Sequence, residues 1–329
     1  MIRVERKSFD SLSEDEISSI ERLNDEWWGL IFHEPQFNLI VSDSFHTQLT
    51  YWLAYDTEGN LIGFCPCHSE KRGSLLYSYA SPTHYDVFFG GWVFDSTLVS
   101  HEELIGSMKY KYNEIGIYFS SIQYPNDTLI NSTLPLKKLA TPIIDLSQSE
   151  EDIWTKSLKS SRRNRVRKAQ KEGVVVNTYG AEGFEQLMPC LRDLHKKINM
   201  KDKPDSFYRR ILEHYAPLNK ARVFLAEKDG EVLSGCVVIG NHRYMHGWEA
   251  GIKENMPSIG LYEIMYWENI VWAKQTGSAF MDFCVIDEEK LPQIAFFKLE
   301  FTSHVVPFYH MVKAGPMFRI LVKLQNLLK

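Results

Sequence analysis

The 329-residue chain has no apolar run long enough to cross a bilayer, and no apolar stretch follows its charged first residues, Met1 to Arg6. The expectation is no membrane span, no signal peptide and a cytoplasmic location. Cysteine is scarce: Cys65, Cys67, Cys190, Cys236 and Cys284 form an odd, scattered set. That argues against a disulfide framework and for a reducing compartment. Cys65, Pro66, Cys67 and His68 hint at metal ligation, but no second pair with ligand spacing follows. Two small buried strand side chains are the plainer reading, and no metal is expected. A large net charge is lacking too. At −5 the balance says little about partners, yet it makes any local block of positive charge conspicuous.

What is present is enough chain for two cores, with 44% hydrophobic and 24% charged residues as in an ordinary globular protein. Ser13 to Glu16 reads as a capping box opening a helix through Ile17, Ile20, Leu23 and Trp27 that ends near Gly29. Thr50–Ala54 and Leu61–Cys67 read as strands around the turn Asp56–Asn60. Leu75–Tyr79 and Val87–Phe94 are further strands, His101–Glu114 a helix and Ile115–Gln123 a strand. Near Pro142 the pattern restarts. Ile143–Leu146 is a strand, Ser149 caps a helix holding Ile153, Trp154 and Leu158, and a second helix ends near Gly173. A strand at Val174–Val176 and helices over Phe184–Ile198 and Phe207–Tyr215 follow.

Arg222–Ala226 and Val232–Ile239 make a hairpin around Asp229 and Gly230 that echoes the first, with Gly63 and Gly235 at like positions in the second strands. An internal repeat of one α/β unit and a coincidence of common hairpins both fit. Tyr244–Ala250 is a strand, Pro257–Gly260 leads into a helix stopping at Gly277, and Phe280–Cys284 is a strand. Phe296–Phe301 begins the last elements, and Met317–Lys329 is an amphipathic basic helix.

The most distinctive segment runs from Lys156 to Lys171, with eight basic residues and no acid. Like charges at this density repel along a helix. A site for phosphate groups, on a nucleotide, a coenzyme or RNA, accounts for them; a solvated face is the alternative. Trp154 with Lys159–Val174 resembles the signature segment of the Fem peptidyltransferase family, which has a Trp, then Lys or Ser and an Arg, then Asn-x-Arg-x-Ala-x-Lys-x-Gly-Val. Phe32–Phe37, Phe207–Arg209, Leu225 and Ala226 with Asp229 and Gly230, Ala279–Phe283 and Phe296–Phe301 resemble further elements of that family. They follow in its order across most of the chain. Cys284–Asp287 departs from the family, which usually shows a glycine soon after the Asp-Phe pair, and Met245–Glu249 is an unusual strand.

The resemblance implies an N-acyltransferase of the GNAT superfamily. The implied fold is α/β (α+β): two tandem GNAT-like mixed-sheet domains around a shared cleft, residues 1–145 and 146–302, with the tail, 303–329, returning to the first. Acyl transfer to an amine sets what the site must hold. The amine must lose a proton to a base, and the carbonyl oxygen turns negative and needs donors. By resemblance, Lys298 contacts the donor or the transition state. His246, Glu249 and Asp282 are the candidates for the base. Tyr244, His246 and Trp248 alternate along a strand and so share one face, with Glu249 on the other. Tyr208, Arg209, Trp248, Tyr244, Arg162 and Arg165 are candidate substrate-binding residues, Arg209 suiting phosphate or carboxylate. Ser258, Ile259 and Gly260 at a helix start either offer amides to a pyrophosphate or simply cap the helix.

The donor is acyl-coenzyme A or aminoacyl-tRNA. Peptidyltransferases that use tRNA often carry a long helical hairpin, for which there is no room between Gly173 and Arg222. This favours acyl-coenzyme A as co-substrate, no permanently bound cofactor, and a small-molecule amine or nucleotide sugar as acceptor, in cell-envelope or polysaccharide synthesis. A non-catalytic RNA-binding protein using the basic stretch is the competing class. Peripheral membrane contact through the basic tail is a further expectation.

Overall fold

The computed structural model describes residues 2–72, 74–81, 89–119, 136–256, 258–286, 288–289 and 292–320. The chain divides into two compact units, Met1–Leu139 with Pro307–Lys329 and Ala140–Val306. In chain order the first holds β1 (Arg3–Ser8), α1 (Glu14–Glu26), α2 (Pro35–Phe45), β2 (Gln48–Tyr55), β3 (Leu61–Arg72), β4 (Leu76–Ser81), β5 (Val93–Phe94), α3 (His101–Ser107) and β6 (Glu114–Phe119). Then come β7 (Leu136–Asp145), α4 (Glu150–Asp152), α5 (Ser160–Lys171), β8 (Val175–Tyr179), α6 (Phe184–Lys197), α7 (Asp205–Tyr215), β9 (Ala221–Lys228), β10 (Glu231–Gly240), β11 (Tyr244–Ile252), α8 (Leu261–Gln275), β12 (Phe280–Asp282) and α9 (Pro292–Leu299). The last strand, β13 (Val305–Ala314), joins the first sheet by pairing with β6.

The two sheets repeat one plan. The first runs β1-β2-β3-β4-β6-β13 and the second β8-β9-β10-β11-β12-β7. In each, three antiparallel neighbours lead to one parallel pair, β4 with β6 and β11 with β12, and an antiparallel strand closes the far side. The echo between the two hairpins is thus an echo of topology. Ala54 pairs with Gly63 in one and Leu225 with Gly235 in the other.

Local chemistry starts the elements where the residues ask for them. Ser13 and Glu16 form the capping box of α1, with the Ser13 hydroxyl accepting from the Glu16 amide at 3.2 Å and the Glu16 carboxylate accepting from the Ser13 amide at 3.0 Å. The other Glu16 oxygen accepts from Lys7 at 2.6 Å and from the Tyr55 hydroxyl at 2.5 Å. One acid therefore ties helix to sheet. Ile20 and Leu23 of this helix bury against Tyr51, Leu53 and Phe64. In the second unit Phe224, Val238, Met265, Tyr266, Phe283 and Phe301 form the core between sheet and helices.

Several expectations need correction. The helix expected over His101–Glu114 stops at Ser107. Glu114 instead opens β6, where Arg6 donates to its carboxylate at 3.0 and 3.2 Å and the Lys111 amide at 3.0 Å. A carboxylate buried to 3% exposure needs those partners more than the helix needs another turn. Of the strand expected over Val87–Phe94, only Val93–Phe94 pairs, with β3, among the described residues. Ser120–Gln123 and residues 321–329 of the basic tail lie outside the described residues. β1, α2 and β13 were not anticipated. Cys65 and Cys67 are buried in β3 with their sulfurs 3.8 Å apart.

Three stability outcomes follow. Ser13→Ala should cost about 1 kcal/mol in urea unfolding. Burial resists the charge on Glu16, but the bonds from Lys7, Tyr55 and Ser13 outweigh it and hold its pKa at about 2. The stabilisation it gives is present above the unfolded value, 4.5, and is lost as the pH falls from there toward about 2; the acid-unfolding midpoint of Glu16→Gln should respond less in that window. At the start of α8, Gly260 has φ +96 and a Cβ there would lie 2.3 Å from the Arg165 carbonyl oxygen, whereas Gly277, φ +81, has open space. Gly260→Ala should therefore cost about 2 kcal/mol or more, against about 1 for Gly277→Ala.

Candidate functional site

β11 and β12 run parallel for only three register pairs, Tyr244 with Phe280, Met245 with Met281 and His246 with Asp282. Beyond His246, β11 continues to Ile252 paired, among the described residues, with β10 alone, and its other edge opens beside residues 283–286. The register against β10 also steps, from Val238 opposite Gly247 to Val237 opposite Glu249, so Trp248 is the extra residue of a bulge. Bulges re-aim side chains, and this one overturns the simple alternation expected for β11. Trp248 and Glu249 both meet Tyr208: the Trp248 ring lies 5.8 Å from the Tyr208 ring, and Glu249 shares Lys203 with the Tyr208 hydroxyl.

At the mouth of the opening sits a buried hydrogen-bonded group. His246 Nδ1 lies 2.8 Å from Asp282 Oδ2, and both side chains are fully buried. Asp282 Oδ1 accepts from the Cys284 amide at 2.7 Å and from the Thr141 hydroxyl. Tyr244 stacks on His246 at 6.0 Å and on Phe280 at 5.1 Å. Cys284 takes a left-handed backbone, φ 61, with its sulfur 3.5 Å from the Gly247 carbonyl oxygen. Burial, aided by the Asp282 charge, pushes the Cys284 thiol well up, against the pull of Lys298.

Lys298 reaches this turn from α9. Its Nζ donates to the Val285 carbonyl at 3.0 Å and the Cys284 carbonyl at 3.4 Å. Burial lowers its pKa, opposed by the Cys284 and Asp282 charges. His246, Asp282 and Cys284 offer ligand atoms within 4.8 Å of one another. Asp282 already accepts three hydrogen bonds, and the Lys298 ammonium stands nearby. The donor set therefore fits a fixed hydrogen-bond relay better than a cation site.

A second cluster flanks the bulge. Lys203, from the segment joining α6 to α7, makes a buried ion pair with Glu249 and lies 3.4 Å from the Tyr208 hydroxyl and 5.7 Å from its ring. Phe207 and Phe184 complete the aromatic wall, with Phe207 5.6 Å from Trp248 and Phe184 5.7 Å from Tyr208. Arg209, next to Tyr208 in sequence, turns elsewhere: it pairs with Glu185 at 2.6 Å over the Phe184 ring.

The basic stretch supplies α5, and its charges are engaged unequally. Arg162 is held between Glu263 of α8, at 2.6 Å, and Glu300, at 2.7 Å from Nε, with its guanidinium over Phe297. Arg163 donates to the carbonyls of Trp154, Thr155 and Leu158, closing the turn after α4. Arg165 donates to the Ser258 carbonyl at 2.8 Å and the Ser258 hydroxyl at 2.6 Å, and Lys168 to the same carbonyl at 3.1 Å. So Arg162 serves packing, while Arg165 and Lys168 bring two positive charges to the loop before α8. Ile259 is buried, and Gly260 makes the turn into the helix. Pro257 lies outside the described residues.

The fold thus gathers Lys298, His246, Asp282 and Tyr244 at the opening, Glu249, Trp248 and Tyr208 beside the bulge, and Arg165, Ser258, Ile259 and Gly260 at the α8 start. Arg162 and Arg209 are bound to carboxylates: Arg162 to Glu300 and to Glu263, which also accepts from Arg165 at 3.4 Å, and Arg209 to Glu185. Sequence reasoning missed Thr141, Cys284 and Lys203. Only Lys203 left a signal, a lysine beside Pro204 just ahead of an aromatic helix start.

Residues 156–292 match the acetyltransferase (GNAT) domain family. No curated protein matches the chain. Among solved structures, FemX superposes with a TM-score of 0.69 at 13% identity, covering 96% of this chain and 99% of that one. L-PGS from Bacillus licheniformis gives 0.56 at 12%, covering 93% and 95%. A tandem GNAT protein from the clavulanic acid biosynthesis pathway gives 0.53 at 11%, covering 95% and 98%. At such identities the likeness concerns the fold. Residues 156–292 thus carry a GNAT acetyltransferase domain, within a fold of two units that is shared with FemX and with a tandem GNAT protein.

Proposed function

We propose that this chain moves an acyl group from acyl-coenzyme A to an amine on a small or sugar-type acceptor. The observation that carries the reading is the opening of β11 from β12 beyond His246, next to the bulge at Trp248 and leading to the α8 start. An unpaired strand edge suits an extended, amide-bearing chain such as the arm of coenzyme A, which can add to it as a strand would. A helix start with Arg165 and Lys168 on the loop before it suits a pyrophosphate.

The residues then divide the work. Lys298 has two of its three protons on the carbonyls of residues 284 and 285, leaving one for the oxygen that turns negative as the amine adds. Glu249, next to the bulge, takes the proton of the attacking amine. His246, Asp282 and Thr141 hold the 282–285 turn that presents Lys298, and so act as positioning residues. Tyr208 and Trp248 wall the acceptor side. The FemX and L-PGS likenesses fit a setting in the cell envelope. Residues 174–220 hold β8, a short 3-10 turn at 181–183, α6 and α7, and no long helical hairpin, which agrees with a coenzyme A donor. The expected tail contact with a membrane and the cytoplasmic location remain part of the proposal; among the described residues no helix is long and apolar enough to cross a membrane.

Thermal unfolding with added acetyl-coenzyme A or tRNA tests the donor. Saturating coenzyme A thioester, at about 100 times its Kd, should stabilise the protein by about 2.7 kcal/mol; stabilisation by tRNA alone would sink the proposal. Lys298→Met should cut kcat/KM for thiol release by about 100-fold or more. With Lys298 held below the usual lysine range, wild-type activity should fall at alkaline pH as this group loses its proton, and the variant should lack that limb.

A further inference from the structure

Lysine is almost never fully buried unless paired. Lys203 is 4% exposed at its side chain and Glu249 7%. Such a pair stabilises a fold no better than well-packed apolar residues of the same volume. Its value therefore lies in what it positions. The pair sits against Tyr208 and Trp248, at the residue after the β11 bulge, and the Glu249 charge is close enough to add to the upward push on the buried Cys284 thiol at the end of β12. A carboxylate backed by aromatic faces is the chemistry that selects an ammonium group. Here that chemistry stands beside the edge where the acyl group is placed, and it is filled by an ammonium of the chain itself, on a segment that belongs to no helix or strand between α6 and α7.

We propose that Glu249, Tyr208 and Trp248 form a receptor for an unhindered primary alkylammonium group of the acceptor, and that Lys203 fills it until the acceptor displaces it. The proposal rests on the acyl-transfer reading above and narrows its acceptor class. Displacement puts the acceptor's ammonium where Nζ of Lys203 lies. Glu249 then takes one proton from it, the freed amine forms the C–N bond to the acyl carbon, and the C–S bond breaks as the sulfur takes a second proton from that nitrogen, leaving as the thiol of coenzyme A. Lys203 thereby competes with the acceptor and sets the concentration at which it binds.

The test uses the full chain and its Lys203→Met variant, which keeps side-chain volume but removes the internal ammonium. The probe is n-butylammonium chloride, with n-butanol and tetramethylammonium chloride as controls, read by titration calorimetry and thermal unfolding without any acyl donor. The expected result is binding of n-butylammonium alone, about tenfold tighter in Lys203→Met than in wild type if the displaced state is about a tenth populated, and loss of binding in Lys203→Met/Glu249→Gln, a fully neutral pair that guards against misfolding of the single variant. A matching drop in KM for n-butylamine is expected in thiol release from acetyl-coenzyme A. A pair that merely braces the fold predicts no binding to the variant, because the methionine side chain introduced by Lys203→Met would fill the space; that result, or equal binding of n-butanol, overturns the receptor. Ammonium binding without acyl transfer would overturn the donor reading and leave the receptor standing. Acyl transfer without ammonium binding would do the reverse.

Discussion

The second unit turns on one guanidinium. Arg162 is largely withdrawn from water between two buried carboxylates, Glu263 in the first turn of α8 and Glu300 just past α9. Removing it would leave two buried carboxylates short of a counter-charge, which is strongly destabilising. Replacing a partner in a buried network is far costlier than never having built it. By holding α5 to α8 and to the end of α9 at once, Arg162 fixes where the Ser258–Gly260 loop sits and where Lys298 starts from. The basic stretch is therefore divided between a brace and a display. Its inner face is taken up by carboxylates and carbonyls, and its outer residues, Arg167 and Lys168 among them, remain exposed.

Much of this was legible beforehand, for identifiable reasons. Helices with caps and periodic faces were readable because their signals are local: Ser13 with Glu16, Ser149 with Asp152, and Gly277 at the end of α8. The doubling of the fold left only a trace at its hairpins, where a repeat and a coincidence of common turns fitted equally well. The alternation of Tyr244, His246 and Trp248 was readable as a strand face, but nothing in the sequence chose among His246, Glu249 and Asp282 as the base. Lys298 stood out as a lysine among Phe296, Phe297 and Phe301.

The rest was hidden because it depends on contacts distant in sequence. β1 and β13 are charged or mixed segments that become strands only because β2 and β6 offer them an edge. The end of α3 is set by Arg6, 108 residues away from Glu114. The bulge at Trp248 has no sequence mark, since it appears only when β10 and β11 are counted against each other. Without it, Trp248 and Glu249 would face opposite ways and the aromatic wall would lack its carboxylate. Lys203 was hidden for a related reason: its partner lies 46 residues on.

The two sheets share a plan but differ in the described length of their parallel pairing. In the first, β4 and β6 stay paired over five register positions, Tyr77 with Glu114 through Ser81 with Tyr118; in the second, β11 and β12 part after three. Described pairings of unequal length within one plan leave the two units different where their parallel strands meet. Acyl transfer confined to the second unit, as proposed above, would give one reaction centre per two cores, so stoichiometry, and not only position, would distinguish the chain from a simple pair of identical catalysts.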